Sequence, residues 1–286
     1  MSLRQRHPRY YFAKGTDIFA AGQTLYKIHS DLLGHNGGVL QDLFQLPQND
    51  SVQEGLTDER PIELPQVTER EFEHFLELIY EGHLLPPYTL QKLADVLKLS
   101  MQWGVETGRL WAIHHLDTTP NVPASLRLHL ARRYNVPDWI EPAMRDLVFN
   151  IPLGNLRGDD FAHLGYPVYI LISKMKEAIE RERRVVAYLA PDCRTHNAAC
   201  TNTDRCSLIW RETWWLKIGR RLLNPETSQA MAFEAGPDVV KSLEWAGMTA
   251  GCRERMVELV AEGNGFSGAE EIFKQGLEKL GELPVD

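Results

Sequence analysis

Between Asp17 and His29 apolar and polar positions alternate, with Ile18 and Ala20 before Gly22-Gln23 and Tyr26 and Ile28 after it, a pattern that predicts a β-hairpin turning at Gly22. Ser30 is placed to cap a short helix through Leu32 and Leu33, and Gly37-Gly38 breaks it before a second, Val39 to Phe44. Pro47 to Arg60 is polar and turn-rich and reads as an exposed loop; Ile62-Glu63-Leu64 then reads as a third short strand. Thr68 with Glu71 forms a capping box, so a helix should start there, and Phe72, Phe75, Leu76, Ile79 and Tyr80 fall on one face of it. Gly82 and Pro86-Pro87 end that helix, Leu90, Leu93, Ala94 and Leu97 repeat the helical spacing, and Trp103 to Leu116 supplies another apolar helix. The residues before the hairpin show no strand pattern.

Pro120 and Pro123 mark a seam. Leu126, Leu130 and Tyr134 mark one helix and Trp139 to Phe149 its partner across Asn135-Val136-Pro137, a helical hairpin. Further helices are expected near 164–186, 208–223, 237–246, 252–261 and 268–280, the second with Trp210, Trp214, Ile218 and Leu222 on one apolar face and the last capped by Ser267 with Glu270. The fold class is therefore α+β: an N-terminal domain at 10–117 built on a short three-stranded sheet with helices, a helical hairpin at 118–150, and a mostly helical region at 151–286 containing a Cys/His loop.

Composition narrows the function. With 43% hydrophobic and 24% charged residues in 286, the chain can bury a core, and no stretch approaches the about 20 apolar residues of a membrane span. The start lacks the apolar segment of a secretory signal, so an intracellular protein, cytoplasmic or nuclear, is expected. A net charge of −8 argues against direct nucleic-acid binding, which draws its affinity from basic residues. The richest basic run, 174–184, pairs Glu177 with Arg181 and Glu180 with Arg184 at helical spacing, as a solvated face would.

The most specific chemistry lies in Cys193, His196, Cys200 and Cys206, the ligand inventory of a tetrahedral structural zinc, with Cys252 as an alternative ligand. Four protein ligands would staple the loop and leave no position for activating water; alternatively the thiols are buried as small apolar groups. Gly263, Gly265 and Gly268 match a dinucleotide-binding spacing but follow a helical stretch, so they read as helix punctuation. Asp17 and His29 lack the nucleophile that acid–base chemistry needs. The chain is expected not to be an enzyme.

The series Asp17-Ile18-Phe19, Gly22, Leu25-Tyr26, His29, Leu32-Leu33 and Leu43-Phe44, followed by Ile62 to Leu64 and by Phe72, Phe75, Leu76, Ile79, Tyr80 and Gly82, resembles the BTB (POZ) family, in particular its fungal members. Residues 124–149 are similar to the BACK-like or three-box-like helices of that family, and Cys206 before Trp210 and Trp214-Trp215 also looks like its fungal relatives. The resemblance implies a non-catalytic protein-interaction module that self-associates, as a homodimer, or recruits a protein partner, with Asp17 and His29 shaping the interaction surface. Val52 and Glu54 resemble the element by which some members engage a cullin scaffold as ubiquitin-ligase adaptors. The alternative it implies is a nuclear, transcription-associated regulator without a DNA-binding domain of its own.

Overall fold

A computed structural model describes residues 4–34, 54–82, 88–192, 196–226, 230–262 and 265–285. The helix expected at Val39 to Phe44, together with Val52, Pro86-Pro87, Cys193 and Gly263, lies outside the described residues. The chain is α+β and divides into two compact units, Met1–Pro123 with Leu130–Val136, and Ala124–His129 with Pro137–Asp286.

The first unit is built on strands β1 (Gln5–Tyr11), β2 (Asp17–Ala21), β3 (Thr24–Ile28) and β4 (Ile62–Glu63). Their order is β1-β3-β2-β4, with the hairpin antiparallel from Asp17↔Ile28 to Ala21↔Thr24 and both outer strands parallel to their neighbours. The sheet has four strands, not three. The additional one escapes the alternation test because its packing side chains are polar aromatics: the His7 ring stacks on Tyr10 and Tyr26 at 5.1 and 4.9 Å. Pro8 is tolerated there because β1 is an edge strand. Both faces of the hairpin are covered. Phe19, Ala21, Tyr26 and Ile28 join the larger core, whereas Ile18, Ala20 and Leu25 cluster with Tyr11.

Helix α1 (Ser30–Gly34) buries Leu33 and exposes Leu32. In α2 (Glu69–Glu81) the capping box forms in both directions, and Phe72, Phe75 and Leu76 are fully buried. Trp103 closes α3 (Leu90–Trp103) and does not begin the next helix; Gly104 takes a left-handed conformation and α4 starts afresh (Glu106–Thr118). The Trp103 ring meets Phe72 and Phe75 edge-on at 6.0 and 4.9 Å, so its place is in the core. Buried Asp95 accepts from Arg70 at 3.0 Å, His74 at 2.8 Å and Gln91 at 2.8 Å, which satisfies its carboxylate away from water.

Helix α5 (Ala124–Arg133) contributes to both units. In the second unit, α6 (Ile140–Arg145) runs into a π-helical turn, Asp146–Asn150, whose Val148 carbonyl accepts from Lys176 Nζ at 2.7 Å. Helix α7 (Gly158–Tyr188) begins earlier than the sequence pattern suggests and is broken at Gly165; its 174–184 face carries the expected Glu177–Arg181 and Glu180–Arg184 pairs at 3.5 and 3.1 Å.

Helix α8 (Thr203–Trp214) continues through a π-turn, Trp215–Gly219, into Arg220–Leu222. The π-turn explains how Trp210, Trp214, Ile218 and Leu222 are all buried: three four-residue steps in a regular α-helix would rotate the stripe by about 120°, and the wider turn absorbs the excess. Helices α9 (Gly236–Ser242), α10 (Ala250–Ala261) and α11 (Gly268–Glu282) complete the unit. The capping box expected at Ser267 and Glu270 does not form. Ser267 is itself helical and makes no side-chain cap, while Glu270 is held by Arg145 at 2.9 Å.

Candidate metal centre

His196, Cys200, Cys206 and Cys252 converge in the second unit, with their ligand atoms all within 4.8 Å of one another. His196 and Cys200 come from the loop before α8, Cys206 from the first turns of α8, and Cys252 from the first turn of α10. Cys206 and Cys252 are buried; the other two are half-buried. Cys193 lies outside the described residues, and the fourth ligand in the cluster is Cys252, 56 residues from His196.

Three separations within the cluster are close to those around a tetrahedral ion. A zinc at about 2.3 Å from sulfur and 2.0 Å from nitrogen places two sulfurs about 3.8 Å apart, and a sulfur and a nitrogen about 3.5 Å apart. Here Cys200 Sγ and Cys206 Sγ are 3.6 Å apart, and His196 Nδ1 lies 3.5 Å from Cys252 Sγ and 3.9 Å from Cys200 Sγ. The thiols are free, so the short sulfur separation is not a disulfide.

Several donors point at the sulfurs. Backbone N–H groups of Asn197 and Thr249 donate to Cys252 Sγ and Cys206 Sγ at 3.3 and 3.4 Å, and the Thr249 hydroxyl donates to Cys200 Sγ at 3.6 Å. That hydroxyl is the chief reason the Cys200 thiol is held down at about 7, while burial pushes Cys252 up. Cys206 and Cys252 also sit at the positive ends of their helices. His196 turns Nδ1 toward the sulfurs and hydrogen-bonds Ser207 Oγ through Nε2 at 3.3 Å, which orients the ring. Gly251 lets the loop approach α10, since a Cβ there would strike the Asn197 side chain. The supporting groups Asn197, Ser207 and Thr249 carry no metal-ligand signature in the sequence. The one legible trace is Thr249 three residues before Cys252, a helix-start spacing.

The other predicted residues lie in the first unit. Asp17 opens β2 opposite Ile28 and His29 follows β3; the His29 backbone N–H donates to the Tyr80 hydroxyl at 2.9 Å and its Nδ1 lies 3.1 Å from the same oxygen. Glu54 is exposed, next to Gly55, whose carbonyl accepts from Ile18 N at 2.7 Å. No protein-family model matches the chain, and comparison with curated proteins and with solved structures finds no significant match.

Proposed function

We propose that residues 10–117 form a BTB-type interaction domain and that the chain acts by binding, not catalysis, through self-association or capture of a protein partner. The observation that carries this reading is the order of elements in the first unit: a hairpin, a short helix, a strand parallel to β2, and a capped helix with Phe72, Phe75 and Leu76 turned into the core. Light scattering of the full chain across concentration tests self-association, with a dimer expected. A pull-down with the cullin N-terminal domain tests the adaptor version, with exposed Glu54→Lys expected to weaken capture. A strict monomer that captures no cullin would sink the reading. Intracellular placement, cytoplasmic or nuclear, goes with it.

For the second unit we infer that the His196–Cys200–Cys206–Cys252 cluster holds a zinc ion and that its role is structural, because four protein ligands leave no open coordination position. Elemental analysis should find one zinc per chain, and a chelator should lower helicity. Absence of stoichiometric zinc with unchanged helicity would reject it.

A further inference from the structure

Six of the twelve large apolar residues exposed among the described residues fall in two short stretches: Val185, Tyr188 and Leu189 at the end of α7, and Leu208, Trp215 and Leu216 on α8 and its π-turn. The stretches adjoin. Tyr188 meets Trp215 edge-on with ring centroids 6.4 Å apart, Trp214 Nε1 donates to the Val186 carbonyl at 2.8 Å, and Gly219 backs onto the Ala187 carbonyl. Tyr188 is 78% exposed, Leu189 61%, Leu216 53% and Trp215 43%. These are not spill-over from the buried stripe, since Trp214 and Ile218 of the same segment are almost fully enclosed. Trp215 and Leu216 sit where the helix departs from α geometry, and such π-turns recur at functional sites.

The patch is also charged. Arg211 stands one turn before Trp215, Lys217 follows Leu216, and Arg220 stands one turn after it; all three are exposed and none carries a carboxylate ion pair among the described residues. Against them stand Asp204, one turn before Leu208, and Glu212, one turn after it, so the basic groups still outnumber the acidic ones. A chain of net charge −8 thus carries, on the segment that exposes Trp215 and Leu216, cations without a carboxylate ion pair among the described residues.

We propose that this surface docks an acidic segment of a partner protein, one that carries apolar side chains between its carboxylates. Tryptophan, tyrosine and arginine are the residues on which interface energy concentrates. A membrane or nucleic acid is a broad polyanion that would also face the acidic remainder of the chain. A short peptide meets only charges within about 8 Å at physiological salt, where the patch is positive. The assignment depends on neither the reading of the first unit nor the ion.

Panning a random dodecapeptide library on the full chain, followed by fluorescence polarisation with the selected peptides, tests it. The expected peptides are rich in Asp and Glu with Leu or Phe between them; binding should fall about tenfold in Arg211→Glu/Lys217→Glu and about thirtyfold in Trp215→Ala. Melting curves check folding, and should Trp215→Ala lose helicity, the variant at exposed Arg211 and Lys217 decides alone. No enrichment, peptides without acidic residues, or binding unaffected by the substitutions would overturn the proposal. Phosphatidylserine-containing vesicles and polyuridine run in parallel; tighter binding of either, lost in the same variants, would assign the surface to lipid or RNA instead and equally overturn it.

Discussion

In the first unit, apolar side chains cover both faces of the sheet, with Ile18, Ala20 and Leu25 on one side and Phe19, Tyr26 and Ile28 on the other. Among its described residues there is no cluster that could hold a metal. In the second unit, the buried stripe from Trp210 to Leu222 is continuous at its start with Cys206, and so with a four-ligand site. The first unit rests on apolar burial with its capping box and ion pairs, whereas the second, on the structural-zinc reading proposed above, would tie part of its stability to the concentration of an ion and the redox state of three thiols. Perturbations should therefore separate them.

The largest separation is expected from Phe72→Ala, which removes a fully buried ring from the first core and should cost about 3–5 kcal/mol. Hydrogen exchange should show loss of protection across β2, β3 and α2 while zinc stoichiometry stays at its wild-type value; loss of zinc as well would break the contrast. Chelation should act the other way, costing the second unit about 2.7 kcal/mol if free ion had stood a hundredfold above its Kd. Cys206→Ser with Cys252→Ser should reproduce that loss and make the chain indifferent to chelator, while protection in the first unit is unchanged. Next comes Gly219→Ala, whose added Cβ would collide with the Ala187 carbonyl; a loss of about 2 kcal/mol, read by urea denaturation, would place the π-turn in the second core.

The smallest effect tests the first unit's independence from metal. Thr68→Ala removes one half of the capping box and should cost about 1 kcal/mol with or without chelator. It also bears on pH. Burial alone would raise the Glu71 carboxyl, but Lys98 and the Thr68 backbone and hydroxyl outweigh it and hold the group below its ordinary 4.5. A depressed carboxylate contributes stability that is present above 4.5 and lost as pH falls through the folded value. Thr68→Ala should therefore flatten the acid limb of the stability curve, as followed by circular dichroism.

What the sequence showed of this fold follows the range of the interactions. The hairpin, the Thr68 capping box and the Phe72–Leu76 face depend on neighbours within a few positions and were legible. Strand β1 was not, because His7 packs as a ring stacked on Tyr10 and Tyr26 and leaves no aliphatic alternation. Ser267 and Glu270 have the right spacing for a cap but lose the glutamate to Arg145, 125 residues away. The metal-ligand inventory was visible in the cluster from His196 to Cys206. Which residue completes it depends on α10 folding back over a separation that no local pattern reports. The strict four-residue spacing from Trp210 to Leu222 did hold a readable trace of the π-turn, since a regular helix cannot keep that stripe straight.

The 56-residue reach from His196 to Cys252 also sets a timetable for biosynthesis. The first unit has all its residues once position 136 has been made. The thiol cluster must wait for Cys252, on the order of ten seconds later at roughly 5–20 residues per second. During that interval Cys200 and Cys206 are close in sequence, without their third sulfur, and open to pairing with one another. The nascent chain is thus most vulnerable to oxidant after its N-terminal unit has closed and before α10 emerges.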